Sequence, residues 1–191
     1  KWDTEKYPGM KDFKKFGPFA YTAKLRNGLF RNTGACLSPQ NAFYNSIGME
    51  TLGLRMERVC NNAKTLAQFF ATEYSDIEVN YPGLAGSKWH NIATEQFGDK
   101  FGGIITIRTG NKKRAFGIID ALKLPLIVSN IGDTKTLVIH PESTLNVHST
   151  QEEKETAGVF DDLIRISVGI EDIDDLIDDF KQAIESVKDV Y

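Results

Sequence analysis

The chain has 191 residues, 23 basic and 26 acidic, for a formal net charge of −3; 41% of its residues are apolar and 26% charged. These proportions suit a globular chain and exclude a disordered or collagenous one, and no run approaches the roughly 18 apolar residues that a membrane helix needs. A balance this close to neutral argues against a dedicated nucleic-acid binder, while the length allows one domain, or one domain and part of another, with a real core.

Residues 1–18 carry Pro8-Gly9 and Gly17-Pro18 and read as loop. Residues 19–33 read as helix, with Ala20, Ala23, Leu25, Leu29 and Phe30 available to pack and Gly34 as its stop. Ser38-Pro39 is a helix start, serine as cap and proline at the first helical position. Downstream, Met49, Leu52, Met56, Val59, Ala63, Leu66 and Phe70 recur at spacings 3, 4, 3, 4, 3, 4. That pattern predicts one apolar stripe on a helix of about thirty residues, longer than most globular helices. It suits a helix bridging two parts of a protein and a bundle helix equally well.

Ile77, Val79 and Tyr81 alternate with polar residues and end at Pro82-Gly83, a short strand and turn. A helix over 88–97 follows, then a strand over 104–109 and a helix over 112–122 with Phe116, Ile119 and Leu122 on one side. Residues 126–128 and 137–139 are short apolar runs. Thr150 and Glu153 form a capping box for a short helix ending at Gly158. Residues 163–168 form another strand. The tail from Asp172 to Lys188 is an amphipathic helix burying Ile173, Leu176, Ile177, Phe180, Ile184 and Val187. Half-alternating strands separated by helices predict an α+β fold: a long helix leading into a small antiparallel sheet covered by helices. Residues 1–75 read as one structural unit and 76–191 as a second.

Few residues invite chemistry. Cys36 and Cys60 form no CxxC pair, so neither a disulfide framework nor a zinc site is expected, and the setting reads as reducing and cytoplasmic. Cys36 reads as a small, inert buried thiol. His90, His140 and His148 lack metal spacing. The acids between Glu171 and Asp179 are interrupted by Ile173, Leu176 and Ile177 at helical spacing and read as a solvated helix face, with acids favoured at the N-terminal end. In the strand around Arg165, Ile164, Ile166 and Val168 share one face and Arg165 and Ser167 the other. Arg165 is therefore solvent-facing, paired to an acid, or facing a ligand, and pattern alone favours the first two. Its fork is the natural partner of a carboxylate.

Residues 162–177 (DLIRISVGIEDIDDLI) resemble the C-terminal signature of the Cys/Met-metabolism enzymes, pyridoxal-phosphate enzymes of the cystathionine γ-synthase type. Residues 34–43 (GACLSPQNAF), 48–52 (GMETL), 54–58 (LRMER) and 79–84 (VNYPGL) agree, and 130–141 (NIGDTKTLVIHP) is most similar to the O-acetylhomoserine sulfhydrylase branch. The resemblance covers almost the whole chain but only the C-terminal half of such an enzyme. It implies fold type I, with residues 1–75 as the end of the large cofactor domain plus a connecting helix and 76–191 as the C-terminal domain.

It further implies γ-replacement in the full-length enzyme: acetate leaves the γ-carbon of O-acetylhomoserine and sulfide adds, giving homocysteine. Pyridoxal phosphate belongs to that enzyme, its Schiff-base lysine in a domain with no counterpart here; Lys135 stands in a different place in the pattern. With the chain opening Lys1-Trp2-Asp3 rather than with methionine, the expectation is a fragment without catalytic or cofactor-binding residues of its own, binding no cofactor and inactive alone. Arg165 matches the family's carboxylate-binding arginine, and Asn130 the neighbouring position that assists it. Family enzymes are tetramers, and apolar area on residues 19–70 of an isolated half favours self-association. One departure stands out: the family's Ser-Thr-Thr-His run is Ser143-Thr144-Leu145-Asn146 here. The rival readings are a sister activity, γ-synthase or methionine γ-lyase, and a standalone binding or assembly module.

Overall fold

The computed structural model describes residues 8–188, so the opening tripeptide lies outside the described residues. The chain divides into two compact units, Lys1–Glu50 and Thr51–Tyr191.

In the first unit, Pro8–Phe19 is not the expected loop but a 3-10 helix, kinked where Gly17 takes φ 54 ahead of Pro18. Short i→i+3 turns tolerate the glycines and prolines that a long α-helix would not. Helix α1 (Ala20–Leu25) passes through a π-type turn at Arg26–Phe30 into α2 (Arg31–Thr33). Gly34, at φ 62, ends the run in the left-handed region, where a Cβ would be strained. Ser38 then caps α3 (Pro39–Glu50): its hydroxyl accepts the Asn41 N–H at 3.2 Å.

The second unit opens with α4 (Leu52–Glu73). The single helix of about thirty residues that the stripe predicts is thus two, interrupted at Thr51 (φ −104, ψ 5). Gly48 and Gly53 flank the break and weaken the helix on both sides of it. The stripe changes character there. Val59, Ala63, Leu66 and Phe70 are buried, whereas Met49, Leu52 and Met56 are exposed.

Five strands make one sheet in the order β1-β2-β5-β4-β3: β1 (Glu78–Asn80), β2 (Ile104–Arg108), β3 (Leu126–Ile127), β4 (Leu137–Ile139) and β5 (Leu163–Ser167). Pairing is antiparallel from β1 to β4, and the two-residue β3 joins the edge in parallel, so the sheet is mixed rather than wholly antiparallel. Helices α5 (His90–Phe97), α6 (Lys112–Ala121), α7 (Gln151–Thr156) and α8 (Ile173–Ser186) complete the unit. The Thr150–Glu153 capping box forms at the start of α7.

One face of the sheet carries the core. Ile105 and Ile107 of β2 and Ile164 and Ile166 of β5 are fully buried with Leu66 and Phe70 of α4, Ile118 of α6, and Leu176, Phe180 and Ile184 of α8. The Phe70 and Phe180 rings meet edge to face, centroids 5.2 Å apart. On α6 it is Ala115, Ile118 and Ile119 that are buried; Phe116 instead lies against the His140 ring at 4.7 Å. Helix α4 comes so close to the sheet that a Cβ on Gly103 would lie 2.4 Å from Val59 Cγ1.

The acidic tail is not wholly a solvated face. Asp172 caps α8, and Asp174 and Asp175 sit in its first turn, where the helix dipole favours them. Asp179 is buried, accepting N–H groups from Lys123 and Leu124 at 3.0 and 2.8 Å and the Gln182 amide at 3.0 Å. A periodicity argument cannot see this, because the two main-chain partners, Lys123 and Leu124, belong to the connection after α6.

Candidate functional site

Strand β5 is the middle strand, paired on both sides. Its alternation turns Ile164 and Ile166 into the core and Arg165 and Ser167 to the opposite face. Across the strands, Arg165 stands opposite Thr106 of β2 and Ile139 of β4, and Thr106 stands opposite Asn80 of β1. Asn80, Thr106 and Arg165 therefore form a polar row across that face. The Asn80 amide donates to the Thr106 hydroxyl at 3.3 Å.

The hydrogen bonding of Arg165 is incomplete. Nη2 donates to the main-chain carbonyl of Asn130 at 3.4 Å, a long contact, and the buried Nε has no partner. Among the described residues no carboxylate pairs with it. Burial lowers its pKa, since desolvation penalises the cation, but a guanidinium stays charged. A half-buried cation with a spare inward donor and no acid is electrostatically unfinished.

Asn130 and Arg165, the two site residues expected from the sequence, are thus brought together. The contact runs through the Asn130 carbonyl oxygen. Ser167 and Thr106 complete the neighbourhood and were not singled out as binding residues. Alternation already put Ser167 on the face of Arg165; Thr106 needed the register.

The segment after Asn130 is pinned. Gly132, at φ 81, donates its N–H to the Ser167 hydroxyl at 3.3 Å. Further on, the Glu171 carboxylate accepts both the N–H and the hydroxyl of Thr136, and the same hydroxyl accepts the Gly169 N–H at 2.9 Å. From α4, the Asn62 amide donates to the carbonyls of Gly169 and Glu171 at 3.1 and 2.9 Å. A Cβ on Gly169 would lie 2.4 Å from the Thr134 carbonyl oxygen, so this junction is closed to side chains.

An open groove of about 900 Å³ occupies the β1–β2 side of the unit, lined by Asn80, Thr106, Arg108, Trp89, Phe160 and Leu163 among others. It borders Thr106 without including Arg165.

Other expected features fall elsewhere. Cys36 is exposed, not a buried thiol; Cys60 is buried; both are free. Its neighbours Ala35 and Leu37 are themselves exposed, so the local chain does not cover the Cys36 thiol. His90 contacts the Pro82 carbonyl at 2.9 Å, and His140 contacts the Ser143 hydroxyl at 2.8 Å and the Asp161 carbonyl at 2.7 Å. Among the described residues no group of three potential ligands could hold a metal ion, and no helix is long and apolar enough to cross a membrane.

Residues 11–185 match the model of the Cys/Met metabolism PLP-dependent enzymes. The chain belongs to that family. It is 39% identical over 183 residues to O-acetyl-L-homoserine sulfhydrylase of Corynebacterium glutamicum, covering 95% of this chain and 41% of that protein. It is 40% identical over 161 residues to L-methionine gamma-lyase of Fusobacterium nucleatum, covering 84% and 40%. Among solved structures it resembles the O-acetylhomoserine sulfhydrylase of the methionine biosynthetic pathway of Wolinella succinogenes, with TM-score 0.70 and 37% identity over 90% of this chain and 45% of that one. The fold is accordingly that of fold type I pyridoxal-phosphate enzymes, and the chain spans about two-fifths of the length of the curated relatives it matches.

The cofactor named by the family needs a phosphate cradle, a partner for its ring nitrogen and a lysine for attachment. The donors around Arg165 do not compose such a set. One guanidinium with a spare N–H and two nearby hydroxyls offer donors to a small anionic group instead, while the Asn130 carbonyl is an acceptor that engages Nη2.

Proposed function

We propose that this chain is the C-terminal part of a PLP-dependent O-acetylhomoserine sulfhydrylase, residues 1–75 closing the cofactor domain and 76–191 forming the C-terminal domain. Its own task is to hold the substrate carboxylate on Arg165. The observation that carries this reading is the buried, unpartnered Nε of a guanidinium that no acid among the described residues neutralises. A carboxylate arriving there completes the hydrogen bonding and supplies the missing counter-charge, and its two oxygens match two N–H vectors of the fork. Asn130 lies against the cation through its carbonyl and lines the same position.

Pyridoxal phosphate, held by the rest of the enzyme, would supply the electron sink for γ-replacement of acetate by sulfide. The chain's residues orient the amino acid. With the reacting centre held elsewhere, the chain alone is expected to be inactive, and the whole enzyme to work as a homotetramer in the cytoplasm.

Two assays test this. The chain incubated with pyridoxal phosphate, O-acetylhomoserine and sulfide is expected to give no homocysteine; turnover would overturn the division of labour. In the full-length enzyme, Arg165→Ala is expected to raise KM by roughly ten- to a hundred-fold, the loss of a charge-assisted hydrogen-bond pair. An unchanged KM would remove the carboxylate role. The resemblance to methionine gamma-lyase supports a second reading with the same carboxylate site and γ-elimination as the reaction. Release of methanethiol from methionine, with no sulfide-dependent homocysteine formation, would select it.

A further inference from the structure

We propose that Ser167 is a positioning residue for carboxylate recognition, setting through Gly132 where Asn130 meets Arg165. The inference rests on the carboxylate reading of Arg165. Ser167 and Arg165 project from the same face of β5, two residues apart. The Ser167 hydroxyl accepts the Gly132 N–H at 3.3 Å, and two residues earlier the Asn130 carbonyl accepts Arg165 Nη2 at 3.4 Å. One strand thus touches one short loop at both ends of a three-residue span. Gly132 can turn there because its φ of 81 carries no penalty for glycine.

The far end of the loop is fixed separately, by the two contacts from Thr136 to Glu171. Between those anchors, the Ser167 hydroxyl holds the half of the loop nearest the guanidinium. Without it, the Gly132 N–H loses its side-chain partner and the Asn130 carbonyl is free to drift. That carbonyl draws Nη2 aside while Nε stays unpartnered, so its position decides which edge of the fork remains open to a ligand. Ser167 is 4% exposed and offers its hydroxyl from within the fold, whereas Gly132 is exposed; water can take up the Gly132 N–H when the hydroxyl is lost, but it does not tether the loop to β5.

The test uses the full-length enzyme loaded with its cofactor. Two unreactive probes are bound and followed by the change in cofactor absorbance: L-norleucine, and n-pentylamine, its counterpart without the carboxylate. Ser167→Ala is expected to weaken norleucine about five-fold, the worth of one lost neutral hydrogen bond, and to leave pentylamine within about two-fold. In an Arg165→Ala background the same substitution is expected to add nothing, because a residue acting through another loses its effect when that residue is gone. Exchange of the Gly132 amide with deuterium is expected to speed up. Ser167→Cys, which keeps the size and a weak acceptor, is expected to lie between serine and alanine, and serves also if the alanine variant does not fold. Equal weakening of both probes, or additive effects with Arg165→Ala, would reduce Ser167 to a general structural role. If Arg165→Ala leaves the preference for norleucine intact, the carboxylate reading itself falls. If Arg165→Ala abolishes that preference and Ser167→Ala and Ser167→Cys do not change it, only the positioning role falls.

Discussion

Two arginines on the same sheet face live in opposite conditions. Arg108, on β2, donates through Nε to Asp162 at 2.9 Å, lies 3.6 Å from Glu78, and rests its guanidinium over the Phe160 ring at 4.0 Å. Asp162 is buried and also accepts the Gly110 N–H at 3.0 Å, so its charge is fully used. Arg165, one strand away, has a single long contact to a carbonyl and a buried Nε with nothing to donate to. The first arrangement is closed and serves the fold. The second is open, and an open cation inside a folded unit is costly unless something else completes it. Residue type does not tell them apart; the presence of an acid across the strand does.

The contrast is broken most strongly from the closed side. Asp162→Ala is expected to cost about 2–3 kcal/mol, since it strands both Arg108 Nε and the Gly110 N–H; half-exposed Arg108 recovers some water, which keeps the loss below that of a fully buried pair. Denaturant unfolding measures it. Next comes converting the open arginine into a closed one. Thr106→Asp sets an acid directly opposite Arg165, and is expected to lower norleucine affinity by more than about ten-fold in the full-length enzyme by occupying the fork, with stability changed by less than about 1 kcal/mol. Unchanged affinity would mean that the ligand does not use this edge.

A pH effect is expected at the other saturated acid. Lys112 and Lys154 both donate to Glu142, at 2.8 and 2.5 Å, and hold its pKa down at about 2. A carboxylate depressed on folding adds stability above its unfolded pKa and loses it as the pH falls through the folded one. The Glu142 contribution is therefore complete above about pH 4.5 and fades toward pH 2. Glu142→Gln is expected to flatten that part of the acid-unfolding curve. The smallest effect is expected from Arg165→Met, which should leave stability unchanged or raise it by up to about 1 kcal/mol, because an uncompensated cation is removed and no buried partner is stranded.

How far the sequence revealed this arrangement depends on how local each cause is. The β5 alternation is written in five consecutive residues, so the face that Arg165 and Ser167 share, opposite the core, could be read directly. The same holds for the Ser38 cap, the Thr150–Glu153 box and the α8 stripe, where Leu176, Phe180 and Ile184 are all buried. The Thr51 break was hidden because an apolar stripe reports spacing, not whether a partner covers it. Asp179 and Thr106 were missed for a related reason: their significance lies in what faces them across more than fifty residues of chain. The union of Asn130 with Arg165 came from family resemblance, and the carbonyl that makes the contact carries no side-chain signature at all.

The placement of Arg165 on the innermost strand has a consequence for how such a domain diversifies. A residue flanked by paired backbone on both sides is held by ladder bonds that no single surface substitution removes. The loop bearing Asn130 is tied down by a few side-chain contacts and one main-chain bond, from the Ile170 N–H to the Thr134 carbonyl, and turns at an unhindered glycine. Exchanging residues in that loop can alter what fits beside the guanidinium while the cation itself stays put, so new selectivity can be acquired without rebuilding the sheet.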